Sequence, residues 1–385
     1  MKKVLFIALA AIVAVAFCAP AMAADKSVTF YGNVRVWTEF VKNSKEIVAA
    51  NTEGAVTNES DTDFELDMDI FNSRFGANFK EGNLSANVEF RPNNGNPYRQ
   101  WWGGYDFGGF TLRVGQQWSP LFIAGAVGCD CERGGFTGTY GDMWGSLRQP
   151  MAKIIVPFSM GTFVFAAVKN ASGTIDGLPD DLYKLGTDDY GKDVKKFAGD
   201  IDTTLPKFEM RLAMGFGPAN VDLFYGYNKC AVGDLSETED ISSYIYGGKV
   251  SAGMGPFTIA AVLWKGQNTD NYGLVGNALT YSKALWDGNS MQDADVYGYF
   301  AEAGFAINDM LALQAAYGYT KAERYLQEKD DLAAMYLRMD IHVAKGVTIT
   351  PEVGKYDNKE ATNAAGDKTD RGTQTFYGVY WQINF

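Results

Sequence analysis

After residue 17 the sequence has no run of ~18 or more consecutive apolar residues, the length a membrane-crossing helix requires. Helical anchoring of the body of the chain is therefore excluded. Histidine occurs once, as His342, and no Ser/His arrangement accompanies it. Hydrolytic chemistry that leans on an imidazole base has little to work with. Cations are in deficit: 34 Lys and Arg stand against 46 Asp and Glu, giving a net charge of −12. That balance argues against a nucleic-acid partner. In place of these the chain carries 43 Gly, 25 Phe, 21 Tyr and 8 Trp, with charged residues at 21%. This fits a β protein with one greasy and one polar face. Composition alone leaves a soluble β-sandwich equally open.

The ends narrow the compartment. Lys2 and Lys3 precede an apolar run from Val4 to Phe17, followed by Ala21-Met22-Ala23. A basic start, an apolar middle and small residues at the cut describe an export signal. Residues 1–23 are thus expected to be cleaved, leaving 24–385 as one domain with a net charge of −14 once Lys2 and Lys3 are gone. A lipoprotein signal using Cys18 is the competing reading, but bulky Phe17 stands where such signals want a small residue.

Alternation with period two runs through nearly all of residues 24–385. Phe208, Met210, Leu212, Met214 and Phe216 interleave with Lys207, Glu209, Arg211 and Ala213; Met335, Leu337, Met339, Ile341 and Val343 interleave with Tyr336, Arg338, Asp340 and His342. This is the signature of strands with one apolar face. Eight strands are predicted at about 28–41, 62–79, 82–91, 98–107, 109–118, 147–156, 161–170 and 206–216. Eight more follow at about 219–228, 241–253, 256–265, 293–307, 309–323, 330–343, 346–356 and 373–385. Tight turns (Gly108-Gly109, Gly217-Pro218, Met254-Gly255, Lys345-Gly346 among them) alternate with long loops at about 42–61, 119–146, 171–205, 229–240, 266–292 and 357–372. A soluble sandwich has no reason to gather its tight turns on one side. A barrel inserted from the periplasm does: short turns inside, long loops outside, an even strand count. Closure leaves no unpaired backbone edge in lipid, and the apolar face then points outward. The fold class is all-β, a 16-stranded antiparallel transmembrane barrel.

The last strand places Tyr377, Val379, Trp381, Ile383 and the terminal Phe385 on one face. This pattern resembles the assembly signal by which outer-membrane barrels meet the barrel-assembly machinery. The opening strand, Val28-Thr29-Phe30-Tyr31-Gly32-Asn33-Val34-Arg35, looks like the first strand of the general porins. With sixteen strands and a long third loop, the whole of 24–385 resembles the homotrimeric general porins, including the type found in sulfate-reducing bacteria. The resemblance implies a bacterial outer-membrane location, a homotrimer in contact with lipid and lipopolysaccharide, and a water-filled channel for small hydrophilic solutes. It also implies a third loop folded into the lumen. That loop, Ser119–Ser146, carries Asp130, Glu132, Arg133 and Asp142 and is rich in Gly. The family's Pro-Glu-Phe-Gly-Gly signature is absent, Gly134-Gly135-Phe136 being the nearest echo, which leaves the loop's path open.

Arg35, Arg74, Arg113, Lys153, Arg211, Lys249 and Arg338 fall on the polar face at similar heights. The resemblance implies a basic wall opposite an acidic loop, with Arg35, Arg74 and Arg113 the leading candidates. Equally, these cations pair with inward Glu39, Glu65, Asp67, Glu209 and Asp340. Acidic residues crowd the fourth loop (Asp176, Asp180, Asp181, Asp188, Asp189) and the fifth (Glu237, Glu239, Asp240). A solvated surface explains them; Ca²⁺ or Mg²⁺ bridging is the alternative, since carboxylate oxygens suit both ions, but no EF-hand spacing is present. No resident cofactor or metal is expected. Trp101, Trp102 and Trp118 serve as girdle or packing, or as sugar-stacking steps. Cys129, Cys131 and Cys230 remain after cleavage, an odd count that leaves one thiol unpaired, and one of the first two could bridge to Cys230.

The expected function is passive diffusion, not catalysis. A substrate-specific pore or a surface-exposed adhesive barrel remains open on sequence alone. An energised receptor would need 22 strands and a plug.

Overall fold

The computed structural model describes residues 26–50, 60–61, 65–68, 72–92, 97–123, 140–143, 148–169, 183–187, 193–197, 200–202, 205–233, 238–272, 274, 279, 281–286, 290–325 and 328–385. Sixteen strands form the wall: β1 Lys26–Asn43, β2 Arg74–Glu81, β3 Leu84–Phe90, β4 Tyr98–Asp106, β5 Thr111–Trp118, β6 Arg148–Phe158, β7 Gly161–Val168 and β8 Lys207–Phe216. The rest are β9 Ala219–Gly233, β10 Thr238–Met254, β11 Phe257–Gln267, β12 Asp295–Ala306, β13 Leu311–Glu323, β14 Lys329–Ala344, β15 Val347–Asp357 and β16 Thr373–Asn384. Each pairs antiparallel with its sequence neighbours. β16 returns to β1 over eleven register pairs, from Asn33↔Asn384 to Asn43↔Gln374, and so closes the cylinder.

Closure is sealed where the two end motifs meet. Gly32 N–H donates to the Phe385 carbonyl at 2.9 Å, and Phe385 N–H donates to the Gly32 carbonyl at 3.0 Å. The Phe385 ring fills the space a Cβ on Gly32 would take. The terminal aromatic thus caps the seam on the lipid side, and the outward row above it begins with Tyr377 stacked on Phe40 at 5.0 Å.

Alternation sorts the side chains in the order opposite to that of a soluble protein. Leu263 is 64% exposed on the outer face, whereas Arg35, Lys207 and Glu209 are fully buried on the inner face. In water the outer face would cost roughly 25 cal/mol per Å² of apolar area; against acyl chains it costs nothing. The tight turns are pinned by glycines with positive φ, Gly82, Gly108, Gly217, Gly255 and Gly346, a region open to Gly without steric penalty.

Several predicted loops are partly strand. β9 and β10 run on to Gly233 and Thr238, so the fifth loop is largely a paired extension. The fourth contains a hairpin of Tyr183–Thr187 with Asp193–Phe197. Both the expected signal segment and the fourth loop's Asp176, Asp180, Asp181, Asp188 and Asp189 lie outside the described residues.

Candidate functional site

The lumen is crossed by the third loop. Chain leaves β5 at Ser119, whose hydroxyl donates to Glu209 on β8 and accepts the Leu121 N–H at 3.0 Å. Ile123 bridges to Met143, so the loop doubles back on itself. Gly141 then lands on β12 and β13, on the wall opposite β5 in the sixteen-stranded cylinder. The Trp264 indole N–H donates to the Gly141 carbonyl at 2.9 Å, and the Gly141 N–H donates to Thr320 Oγ1 at 2.5 Å. Gly141 has φ +77°, and a Cβ there would strike the Tyr299 and Tyr319 carbonyls. On the wall side, a Cβ on Gly318 would strike the Tyr140 carbonyl, and one on Gly298 the Trp264 ring. Two glycines back to back let main chain touch main chain. Tyr140 extends the contact to β15, edge-on to Tyr356 at 5.4 Å.

The sixth loop also enters the barrel, against the expectation that residues 266–292 form an external surface. Tyr272 is fully buried, donates to the Ser243 carbonyl at 3.2 Å, and takes the Lys207 ammonium over its ring at 5.1 Å. Tyr272, Leu274 and Leu279 join Leu121, Ile123 and Met143 in one apolar cluster with inward Phe224, Ile245, Val262, Trp264 and Val296. The ring of Tyr272 and the side chain of Leu121 sit where a Cβ on Gly226 would be. Burial pushes the Tyr140 and Tyr272 phenols above their ordinary range, Tyr272 furthest. Both remain neutral hydrogen-bonding groups.

The expected basic residues face inward, and most have acidic partners. Arg74 lies 3.9 Å from Glu89, Arg211 2.7 Å from Asp222 and Arg338 4.0 Å from Asp340. Lys249 is the register partner of Asp222. Arg35 is fully buried beside Ser73, whose Oγ accepts its backbone N–H at 3.0 Å. Glu89 and Asp222 thus join the expected Asp340 as carboxylate partners of the inward cations. Glu209 pairs instead with Lys207 at 2.9 Å, both fully buried. Arg113 and Lys153 are register partners on β5 and β6. Arg113 lies over the Trp102 ring at 4.2 Å, and Lys153 Nζ donates to the Trp118 carbonyl at 2.9 Å.

Arg99 escaped the sequence reading. A register shift between Glu89 and Phe90 makes β4 carry an extra residue, so Arg99 turns inward out of strict alternation and binds Glu89 at 2.6 Å. The shift brings Tyr98 to the outer face beside Trp101, which is 56% exposed, while ordinary alternation turns Trp102 into the lumen. Trp118 is the register partner of Arg148 and is sandwiched between Phe122 at 4.0 Å and the Arg148 guanidinium at 4.2 Å. His342 is exposed at the periplasmic end of β14, 3.2 Å from Thr348 Oγ1, and is not deep in the lumen. Cys230 is a free, buried thiol beneath Ile241 and Ala284. Cys129, Cys131, Asp130, Glu132 and Arg133 lie outside the described residues. Asp142, the remaining charged loop residue, is buried and accepts the Met143 N–H at 2.7 Å.

Each wall of the lumen carries both signs in different proportion, with Glu89 beside the cations of one and Arg338 beside the carboxylates of the other. Arg99, Arg113 and Lys153 line β4–β6; Glu302, Asp340 and Glu352 line β12, β14 and β15 on the facing wall. Glu302 accepts the Tyr336 hydroxyl, and Asp340 accepts Thr350 Oγ1 at 2.9 Å and Gln314 Nε2 at 3.0 Å.

The profile of the Gram-negative porins matches residues 8–361. This chain belongs to that family. The porin is accordingly an outer-membrane β-barrel channel for passive diffusion. Among solved structures it is similar to the outer membrane channel DcaP of Acinetobacter baumannii at 14% identity, with a TM-score of 0.67 over 94% of this chain and 99% of that one. An anion-selective porin from Comamonas acidovorans matches at 15% identity and TM-score 0.57 over 94% and 100%. The trimer form of OmpT from Vibrio cholerae matches at 15%, 0.58, 94% and 99%. No curated protein matches the sequence.

Proposed function

We propose that this porin conducts small hydrophilic solutes and ions with a preference for anions, as a homotrimer exported by cleavage of residues 1–23. It acts without catalysis or a resident metal. One observation carries the anion preference: the third loop lies against β11–β13, while the wall that it crosses from, β1–β6, carries Arg35, Arg74, Arg99, Arg113 and Lys153 around Glu89. Opposed rows of fixed charge in a narrow aqueous path set up a transverse field, and a surplus of cations along one side raises the local anion concentration. The anion selectivity of the Comamonas acidovorans neighbour and the trimer form of the Vibrio cholerae neighbour support the reading.

Planar bilayers with a KCl gradient test it. The expected reversal potential is that of an anion-preferring pore, and Arg35→Ala with Arg74→Ala moves it toward cations. A cation-preferring wild type, or a double variant with an unmoved potential, overturns the assignment. Counting coupled conductance steps tests the trimer: three equal steps per insertion are expected, and single steps contradict it.

A further inference from the structure

The lumenal cations Arg74, Arg99, Lys207, Arg211 and Arg338 each lie within 4.0 Å of a carboxylate. Arg113 and Lys153 do not: among the described residues neither has a carboxylate within salt-bridge distance. Yet they are adjacent, register partners on neighbouring strands, and Lys153 is 9% exposed. Directly opposed like charges on one sheet face repel, and the cost rises as water is excluded. Glu209, farther along the same row beyond β7, is already committed to Lys207 at 2.9 Å and to the Ser119 hydroxyl.

The geometry explains how the cations are presented. The Arg113 Cζ lies over the Trp102 indole, 4.2 Å from the ring centroid. Stacking uses the guanidinium's face and leaves its N–H edge donors in plane, the arrangement that meets an oxyanion in a bidentate fork. One of those donors, Nε, is buried without a hydrogen-bond partner. Buried donors of this kind are rare because an unmade bond costs as much as desolvation. Lys153 is held by a single bond to the Trp118 carbonyl, and an ammonium has three donors to give.

We propose that Arg113 and Lys153 form a discrete, saturable binding site for the oxyanion group, carboxylate or phosphate, of a small solute in transit. Trp102 is a positioning residue that holds the guanidinium flat. The site deepens the anion-preferring channel reading, and turns a diffuse field into one place of occupancy on the β5–β6 wall.

Binding is measured apart from conduction, so that the two readings fail separately. Detergent-solubilised wild-type barrel is titrated calorimetrically with sodium phosphate, sodium acetate and glucose, and the same solutes are added to open channels in bilayers. Saturable uptake of at least one anion with matching current block is expected, and none for glucose; the two anions show whether the site prefers phosphate or carboxylate. Arg113→Gln with Lys153→Gln weakens anion binding by about tenfold or more. Arg113→Lys with Lys153 intact retains part of it. Trp102→Leu weakens it and Trp102→Phe restores it, a contrast that loss of folding would not produce. Lys368→Gln, in the eighth external loop, controls for net charge and binds as wild type does. The proposal is overturned by unsaturable or absent heat for both anions in the wild type, or by equal affinity in wild type and the double glutamine variant, whatever the channel's selectivity.

Discussion

Toward the external ends of β9–β14 the inner face is largely apolar and covered by chain, whereas that of β1–β6 is charged. On the covered side Phe224, Ile245, Val262, Trp264 and Val296 pack against Leu121, Met143, Tyr272 and Leu279 as in a small soluble core. On the open side Arg74, Arg99 and Glu89 form an ion-pair cluster. One barrel thus solves two problems. Apolar burial, roughly 25 cal/mol per Å², holds the described loop segments, and ion pairs brace the charged wall while keeping it polar. The channel is what the first arrangement leaves to the second.

Removing a partner from the charged side should cost most. Glu89→Ala removes the carboxylate that Arg99, fully buried, and Arg74 share. Breaking such a pair typically costs about 3–5 kcal/mol, to be read as a lower urea midpoint for loss of the folded, heat-resistant barrel in detergent. On the covered side, Gly318→Val forces a side chain against the Tyr140 carbonyl. Overpacking of this kind costs about 1–3 kcal/mol, and because the loop can lift off, the smaller cost should come with higher conductance. Trp264→Phe is subtler: the ring still covers Gly298, but the bond to the Gly141 carbonyl is lost. A net hydrogen bond is worth about 1 kcal/mol, so the expectation is noisier current with nearly wild-type stability. Least of all, Lys368→Gln breaks an exposed 2.9 Å pair with Glu360 and should leave the urea midpoint unchanged. A midpoint for Glu89→Ala above that for Gly318→Val would reverse the comparison.

Period-two alternation placed fifteen of the sixteen strands to within about five residues, because a wall with lipid on one side and water on the other obeys parity almost everywhere; the second, expected from residue 62, begins at Arg74, with Glu65–Met68 a separate strand paired to β1. It failed where parity fails. Arg99 turns inward at a bulge, and a bulge leaves little trace in the pattern. The basic residues were read as inward-facing, but their partners were not: Glu89 and Asp222 reach Arg74, Arg99 and Arg211 from neighbouring strands, so pairing depends on register and not on sequence distance. The inward path of the sixth loop was hidden because Tyr272, Leu274 and Leu279 follow no period. A signal was nevertheless present in Tyr225-Gly226-Tyr227, Tyr297-Gly298-Tyr299 and Tyr317-Gly318-Tyr319. In each, the tyrosines face lipid and the inward glycine makes room for Tyr272 and Leu121, for Trp264, or for Tyr140. An inward glycine between two outward aromatics marks where a loop lies on the wall.

Single-channel current in planar bilayers, wild type beside Gly318→Val, tests the pinned loop most directly. The account predicts steady ohmic conductance in the wild type and a larger one in the variant. Equal conductances, or a wild type that passes no steady current, would contradict it.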